Sequence, residues 1–358
     1  MSWLLAFLGF AALIILHEAG HFAAAKAVGM RVERFSLFFP PLLARVRRGE
    51  TEYAVGSIPL GGYVKITGMN PAEEIPPEVE HRAYYRQPVW KRIVVIAAGP
   101  VVNIVLAFLL LVVIFLGWGV YDGSSDRIEA VDKAKGAAQV LRPGDRVVAI
   151  DDRRGDIDTL RRQIATHGCA GEQVDGCRAA EPARVTVIRD GREQTFSITP
   201  VYEADVKRPL VGFSWAAKSR AVGIGEASEL STEAMWAFTK GTVETIAGIF
   251  QAEKREQISG VVGSYETTRQ AINFSADRAL FLLAVISLSL GIINLFPFLP
   301  LDGGHIFWAL AEKVRGRAIP FSVMERAGFV GFALVIALFM VGLTNDIGRL
   351  TGEGFQVR

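Results

Sequence analysis

"LIILHEAGHFAAAKAVG", residues 13–29, sets two histidines and a glutamate into an otherwise apolar helical run, and the reading of those three groups decides the fold. The run lies in a stretch, Ser2 to Ala25, that exceeds the ~20 apolar residues needed to cross a bilayer. A charged side chain at mid-membrane costs about 2.5–3.5 kcal/mol on insertion scales, so such groups persist where they work or find partners. His17 and His21 are one helical turn apart and about 40° around the axis, so two imidazole nitrogens can grip one ion. Glu18 lies on the adjoining face, near a water on that ion without being a ligand itself. This is the His-Glu-x-x-His arrangement of zinc hydrolases, in which the metal acidifies water and the glutamate takes its proton. The plainer alternative is that the three groups hold helices together by hydrogen bonds.

The rest of the chain fits a membrane setting. Of 358 residues 51% are apolar, and Lys+Arg 39 against Asp+Glu 37 leaves a net charge of +2, which argues against a nucleic-acid binder. Three further apolar stretches follow: Ile93 to Val120, Ala279 to Leu299, and Phe329 to Leu343, the last long enough only if counted as Ala327 to Ile347. Four crossings are expected. No basic residue precedes the first stretch and no small-x-small site ends it, so it reads as a retained helix rather than a cleaved signal. Arginines and lysines crowd the loop from Lys26 to Arg92 and the loop after Gly303, which by the positive-inside rule face the cytoplasm. Both termini and the segment Tyr121 to Arg278 then lie outside. Cys169 and Cys177 both fall there, where an oxidising compartment permits a disulfide that spacing alone does not establish.

In the first cytoplasmic loop, short β-branched and aromatic runs predict two or three strands, roughly Leu43 to Arg47, Thr51 to Ser57 and Tyr63 to Thr67. Gly61 and Gly62 would let another backbone come close. Asp126 to Val201 reads as a compact α/β unit: strand "RIEAV", short helix "KAKGAAQVL", "RPGDRVVAIDD" as a turn then a strand, helix "IDTLRRQIATH", and a hairpin through Asp190-Gly191. From Gly225 to Glu253, Leu230, Met235, Phe238, Val243, Ile246, Ile249 and Phe250 recur at helical spacing. They predict an amphipathic helix on the membrane face or on the preceding unit.

A catalytic zinc wants a third protein ligand and an open fourth position. The candidates lie in "IINLFPFLPLDGGHIF", residues 292–307. Pro297 and Pro300 cannot continue a helix, so an extended chain is predicted beyond Asn294, with Asp302 beside the permissive Gly303-Gly304. Such backbone must line a polar cavity or be covered by protein. At 1.5 Å per residue, His17 lies about 21 Å from Trp3 and Asn294 about 22 Å from Ala279, so groups on the two spans can meet. Asp302 is the preferred third ligand and His305, further past the break, its competitor. Asp302 as a simple cap of the following helix is the plain reading.

Taken together these motifs resemble the site-2 proteases, intramembrane zinc metalloproteases, and within them the bacterial regulator-of-sigma-E type. "HEAGH", "PLGGYVKITGM", "AAGPVVNIVLAF", "NLFPFLPLDGGH" and "NDIGRL" resemble family motifs in the family's order. The resemblance implies that His17, His21 and Asp302 hold Zn2+ and that Glu18 is the general base. It implies that Gly61, Gly62, Tyr63, Val64 and Lys65 form part of a β-hairpin that pairs with unwound substrate, and that Asn294 and Asn103 hydrogen-bond substrate backbone or the oxyanion. The outer unit resembles a PDZ domain, chiefly through "LRPGDRVVAIDD". It departs from the family in its "KGAAQ" run, and "ISGVVG" at 258–263 has Val261 where relatives carry proline.

The expected fold class is a mainly α-helical polytopic membrane protein of about four transmembrane helices, with a cytoplasmic β-hairpin sheet and an inserted extracytoplasmic α/β PDZ-like domain. Its expected divisions are 1–119, 120–202, a linker with an amphipathic helix at 203–278, and 279–358. The expected activity is cleavage of single-span membrane proteins in a bacterial plasma membrane, with the site toward the cytoplasmic side. Anti-sigma factors already trimmed outside and signal-peptide remnants are the implied substrates, the lipid bilayer is a partner, and nucleic acid is not. Two rival readings are a non-catalytic membrane adaptor and a metal-ion transporter.

Overall fold

The computed structural model describes residues 1–70, 73–132, 136–204, 206–248, 251, 255, 258–317 and 319–352. They form two compact units, Met1–Gly117 with Gly223–Arg358, and Trp118–Val222.

The first unit holds four helices long and apolar enough to cross a membrane: α1 (Ser2–Ala27), α3 (Val89–Trp118), α7 (Ala276–Asn294) and α9 (Phe321–Thr351). The one-turn α2 (Pro77–Glu80) precedes α3, while α5 (Ile224–Ala247), α6 (Val261–Phe274) and α8 (Asp302–Arg315) complete the unit. Small residues let the spans meet closely, as expected where packing rather than the hydrophobic effect joins helices. A Cβ on Gly20 of α1 would stand 2.6 Å from the Ala98 carbonyl oxygen of α3, and one on Gly291 of α7 would stand 3.0 Å from that of Pro100. The helix predicted over Gly225–Glu253 is present as α5, with Ile249, Phe250 and residues 252–254 outside the described residues.

Between α1 and α3 run two long strands, β1 (Val32–Arg48) and β2 (Thr51–Ile66). Each folds back on itself. Residues 34–37 pair with 62–65 on one side and with 52–55 on the other, while 44–48 pair with 51–55. The result is a mixed sheet of four short segments, ordered 62–65, 34–37, 52–55, 44–48, in which the central pair 34–37 and 52–55 runs parallel and the two outer pairs run antiparallel. The bend in β1 falls at Phe38, whose φ is 69°, before Pro40 and Pro41. Three of these segments match the predicted strands. The fourth, 34–37, was hidden because "RFSLFF" shows no clean alternation. Met30, Val32, Ile66 and Tyr84 bury the base of this sheet against Ala25 of α1 and Val95 and Ile96 of α3.

The second unit carries β3 (Val120–Val131), β4 (Arg146–Ile150), β5 (Arg153–Arg154), α4 (Ile157–Ala165), β6 (Ala183–Arg189), β7 (Arg192–Ile198), β8 (Val201–Glu203), β9 (Arg208–Leu210) and β10 (Phe213–Arg220). Its main sheet runs β10-β3-β4-β6-β7, with β5 on β4. Ile128, Val147, Ile150, Leu160, Val185 and Val187 form the core. The Asp156 carboxylate caps α4 by accepting from Thr159 N at 2.8 Å. The predicted β6-β7 hairpin turns through Asp190 and Gly191, both at positive φ. Where a helix was predicted at "KAKGAAQVL", the structure has a 3-10 turn over Gly136–Gln139, residues 133–135 lying outside the described residues. The unit also runs past residue 202, because β10 returns to pair with β3. Cys169 and Cys177 are joined as a disulfide.

Candidate active site

The two turns of α1 that carry His17, Glu18 and His21 face α3 and the loop after α7, and both imidazoles are buried. His17 Nε2 and His21 Nε2 lie 3.3 Å apart, and each lies 3.3 Å from Asp302 Oδ2. Three potential ligand atoms thus mark the corners of a nearly equilateral triangle. Ligands held at about 2.0–2.2 Å by a tetrahedral zinc stand about 3.3–3.6 Å apart, so the spacing fits. Their chemistry fits as well. His21 Nδ1 donates to the Val95 carbonyl at 2.9 Å, which leaves its Nε2 a bare lone pair, and Asp302 Oδ2 is buried without a hydrogen bond. Three such atoms, if unprotonated, would repel one another at this distance, and a cation among them would relieve that repulsion.

Asp302 reaches this point because the chain between α7 and α8 is compact. An extended segment was predicted after Asn294; instead Leu295 N, Phe298 N, Leu301 N and Gly304 N close successive turns onto Ile292, Phe296, Phe298 and Leu301 carbonyls. The glycines make that possible. A Cβ on Gly303 would stand 2.2 Å from the Leu295 carbonyl oxygen, and one on Gly304 would stand 2.5 Å from Leu299 N. Asp302 is the first residue of α8 and makes no capping hydrogen bond, which removes the plain capping reading. His305, one turn further along α8, is outside the cluster formed among the described residues by His17, His21 and Asp302.

Glu18 points toward the sheet. A Cβ on Gly62 would come 2.8 Å from Glu18 Cγ, so β2 runs directly over this side chain. Residues 62–65 form a sheet edge, with 34–37 as their only partner among the described residues. The side chains of this edge are mostly engaged. Tyr63 accepts from Arg34 at 3.1 Å and stacks on Phe39, and Gly61 leaves room for the Phe39 ring. Lys65 Nζ pairs with Glu33 at 2.7 Å and Glu73 at 2.6 Å, and hydrogen bonds to those two carboxylates hold its pKa above the usual lysine range. Val64 lies opposite Phe35. The edge therefore offers its backbone rather than its side chains.

Asn294 closes α7, half-buried and with no side-chain hydrogen bond to the described residues. Asn103 differs: it is fully buried, with its amide nitrogen 3.3 Å from His17 Nδ1, so it lies behind the histidine. Three supports escaped sequence reading. The Val95 carbonyl carries no side-chain signature. Gly99, where a Cβ would stand 2.3 Å from His21 Nε2, was visible only as part of "AAGPVVN". Asp346, fully buried on α9, accepts from Gly260 N at 3.1 Å and Gly263 N at 2.7 Å and so ties α9 to the start of α6. "NDIGRL" contained that signal without a partner to give it meaning.

The family model described as peptidase family M50 matches residues 5–338. The zinc metalloprotease Rip1 of Mycolicibacterium smegmatis is 31% identical, over 94% of this chain and 92% of its own. Rip1 of Mycobacterium tuberculosis is 30% identical, over 93% and 94%. The metalloprotease MmpA of Caulobacter vibrioides is 28% identical, over 94% and 92%.

Proposed function

Because the chain belongs to peptidase family M50, the site-2 family of membrane zinc metalloproteases, we propose that it hydrolyses peptide bonds within or near the transmembrane segment of single-span membrane proteins. The observation that carries this reading is the 3.3 Å triangle of His17, His21 and Asp302 beside Glu18, itself lying under a free strand edge.

His17, His21 and Asp302 would hold the zinc. When bound there, zinc supplies Lewis acidity, which lowers the pKa of a water and polarises a carbonyl. Glu18 takes the proton from the attacking water and passes it to the leaving amine. Substrate adds as a strand along residues 61–65, which unwinds its helix and presents an amide that a helix would hide. Asn294 donates its side-chain amide to substrate backbone or to the developing oxyanion.

The sheet and the loop after α8 face the cytoplasm of a bacterial plasma membrane, and the second unit lies outside, as the distribution of basic residues supports. That outer unit is PDZ-like and filters substrates by the size of what remains outside the membrane. Anti-sigma factors after a first extracytoplasmic cut fit this requirement, as do signal-peptide remnants. Co-expression of the chain with truncated single-span proteins tests the proposal: wild type is expected to cut within or beside the span, and Glu18→Gln to leave the substrate intact. Equal cutting by both would refute it.

A further inference from the structure

We propose that Asn103 is a positioning residue of the metal centre: its amide oxygen accepts a hydrogen bond from His17 Nδ1–H and so holds the ring with Nε2 toward the zinc. The proposal rests on the reading of His17 as a ligand. A histidine that binds metal through Nε2 carries its remaining proton on Nδ1, and that proton needs an acceptor when buried. For His21 the acceptor is the Val95 carbonyl on α3, 2.9 Å away. For His17 the group at Nδ1 is the Asn103 side chain, two turns further along the same helix, with Nδ2 at 3.3 Å and Oδ1 buried without a partner.

Those two facts have one resolution. If His17 binds metal through Nε2 and so carries its proton on Nδ1, a half-turn of the carboxamide, whose two ends have the same shape, brings Oδ1 to His17 Nδ1, where donor then meets acceptor and the buried oxygen gains a partner. Asn103 is well placed to hold a fixed angle. It is fully buried, and its backbone carbonyl accepts from Ser287 Oγ of α7 at 2.9 Å. Gly291 of α7 packs against it, since a Cβ there would stand 3.5 Å from Asn103 Cβ. The span α3 thus supplies both outer acceptors, one from its backbone and one from a side chain that α7 locks in place.

The test uses the full chain in detergent, with zinc affinity measured by chelator competition and tautomers read from nitrogen-15 histidine spectra assigned with His17→Gln. Asn103→Ala is expected to lose about 10- to 100-fold in zinc affinity, and Asn103→Asp, which keeps the acceptor, to stay within about threefold of wild type. Zinc-loaded wild type is expected to show His17 protonated and hydrogen-bonded at Nδ1. A packing role alone would lower the melting temperature of both variants and leave zinc affinity unchanged, and that result overturns the proposal, as does Asn103→Asp binding as weakly as Asn103→Ala. Should the variants not fold, the wild-type spectrum decides: a His17 Nδ1 that is metal-bound, or protonated without a hydrogen bond, refutes it. His17→Gln binding zinc as tightly as wild type would instead overturn the ligand reading, a separate outcome.

Discussion

Gly62 of β2 and Glu18 of α1 are in contact so close that a single added carbon on Gly62 would lie 2.8 Å from Glu18 Cγ and 2.9 Å from the Ser36 carbonyl oxygen. Under the proposed function, the strand whose edge would take substrate also packs on the glutamate that would act as base. Gly62→Ala is expected to displace Glu18 from its working position. Misplacement of a reacting group by about 1 Å can cost on the order of 100-fold, so kcat should fall by at least about 10-fold with zinc per chain unchanged. Kinetics and metal analysis on the same sample check this.

Glu18→Gln keeps the size of the side chain and removes the base. Loss of general-base catalysis is expected to lower kcat by about 100- to 10,000-fold. Zinc content should match wild type, because the three ligand atoms belong to other residues. Metal analysis beside a cleavage assay separates this outcome from loss of the centre.

Arg92 of α3 and Glu312 of α8 form a two-pronged ion pair at 2.9 and 2.7 Å, ten residues along the helix that begins with Asp302. Arg92 also lies over the Tyr84 ring. Glu312→Gln leaves a buried guanidinium short of its partner and is expected to cost about 1–3 kcal/mol of stability. Arg92→Glu and Glu312→Arg should each destabilise, and the exchanged pair carrying both should lose less than the sum of the two, whereas independent effects would add. Thermal unfolding in detergent of the four proteins closes the cycle.

At the turn between β1 and β2, hydrogen bonds from Arg82 and Lys26 hold the Glu50 carboxyl down at about 2, against an ordinary 4.5. A carboxyl depressed on folding contributes stability that is present above its ordinary pKa and fades as pH falls from about 4.5 toward 2. Wild type should therefore melt above Glu50→Gln at pH 7, and the gap should narrow as pH falls through that interval. A gap unchanged down to pH 3 would contradict this.

Much of the site was legible because its chemistry is local or costly. His17, Glu18 and His21 stand out since ionisable groups in an apolar span need a reason, and Asn294 marks the end of α7 because prolines follow. Depth along two spans was enough to bring Asp302 within reach. What stayed hidden depends on partners distant in sequence. Residues 34–37 form a central strand segment only because 52–55 and 62–65 flank them. Asn103 looks like any polar residue able to touch substrate until its burial and its distance to His17 are known. The compact loop before Asp302 is set by backbone packing against Gly303 and Gly304, which no propensity for extension after proline can foresee. The return of β10 to β3 likewise has no signature in either strand.

Anomalous diffraction at the zinc edge, from crystals of the full chain grown with zinc, would locate the metal directly. One peak within about 2.0–2.2 Å of His17 Nε2, His21 Nε2 and Asp302 Oδ2 is expected, and it should vanish in Asp302→Asn with His17→Ala. A peak elsewhere, or fully loaded crystals with no signal between those three atoms, would contradict the convergence of two spans on one ion.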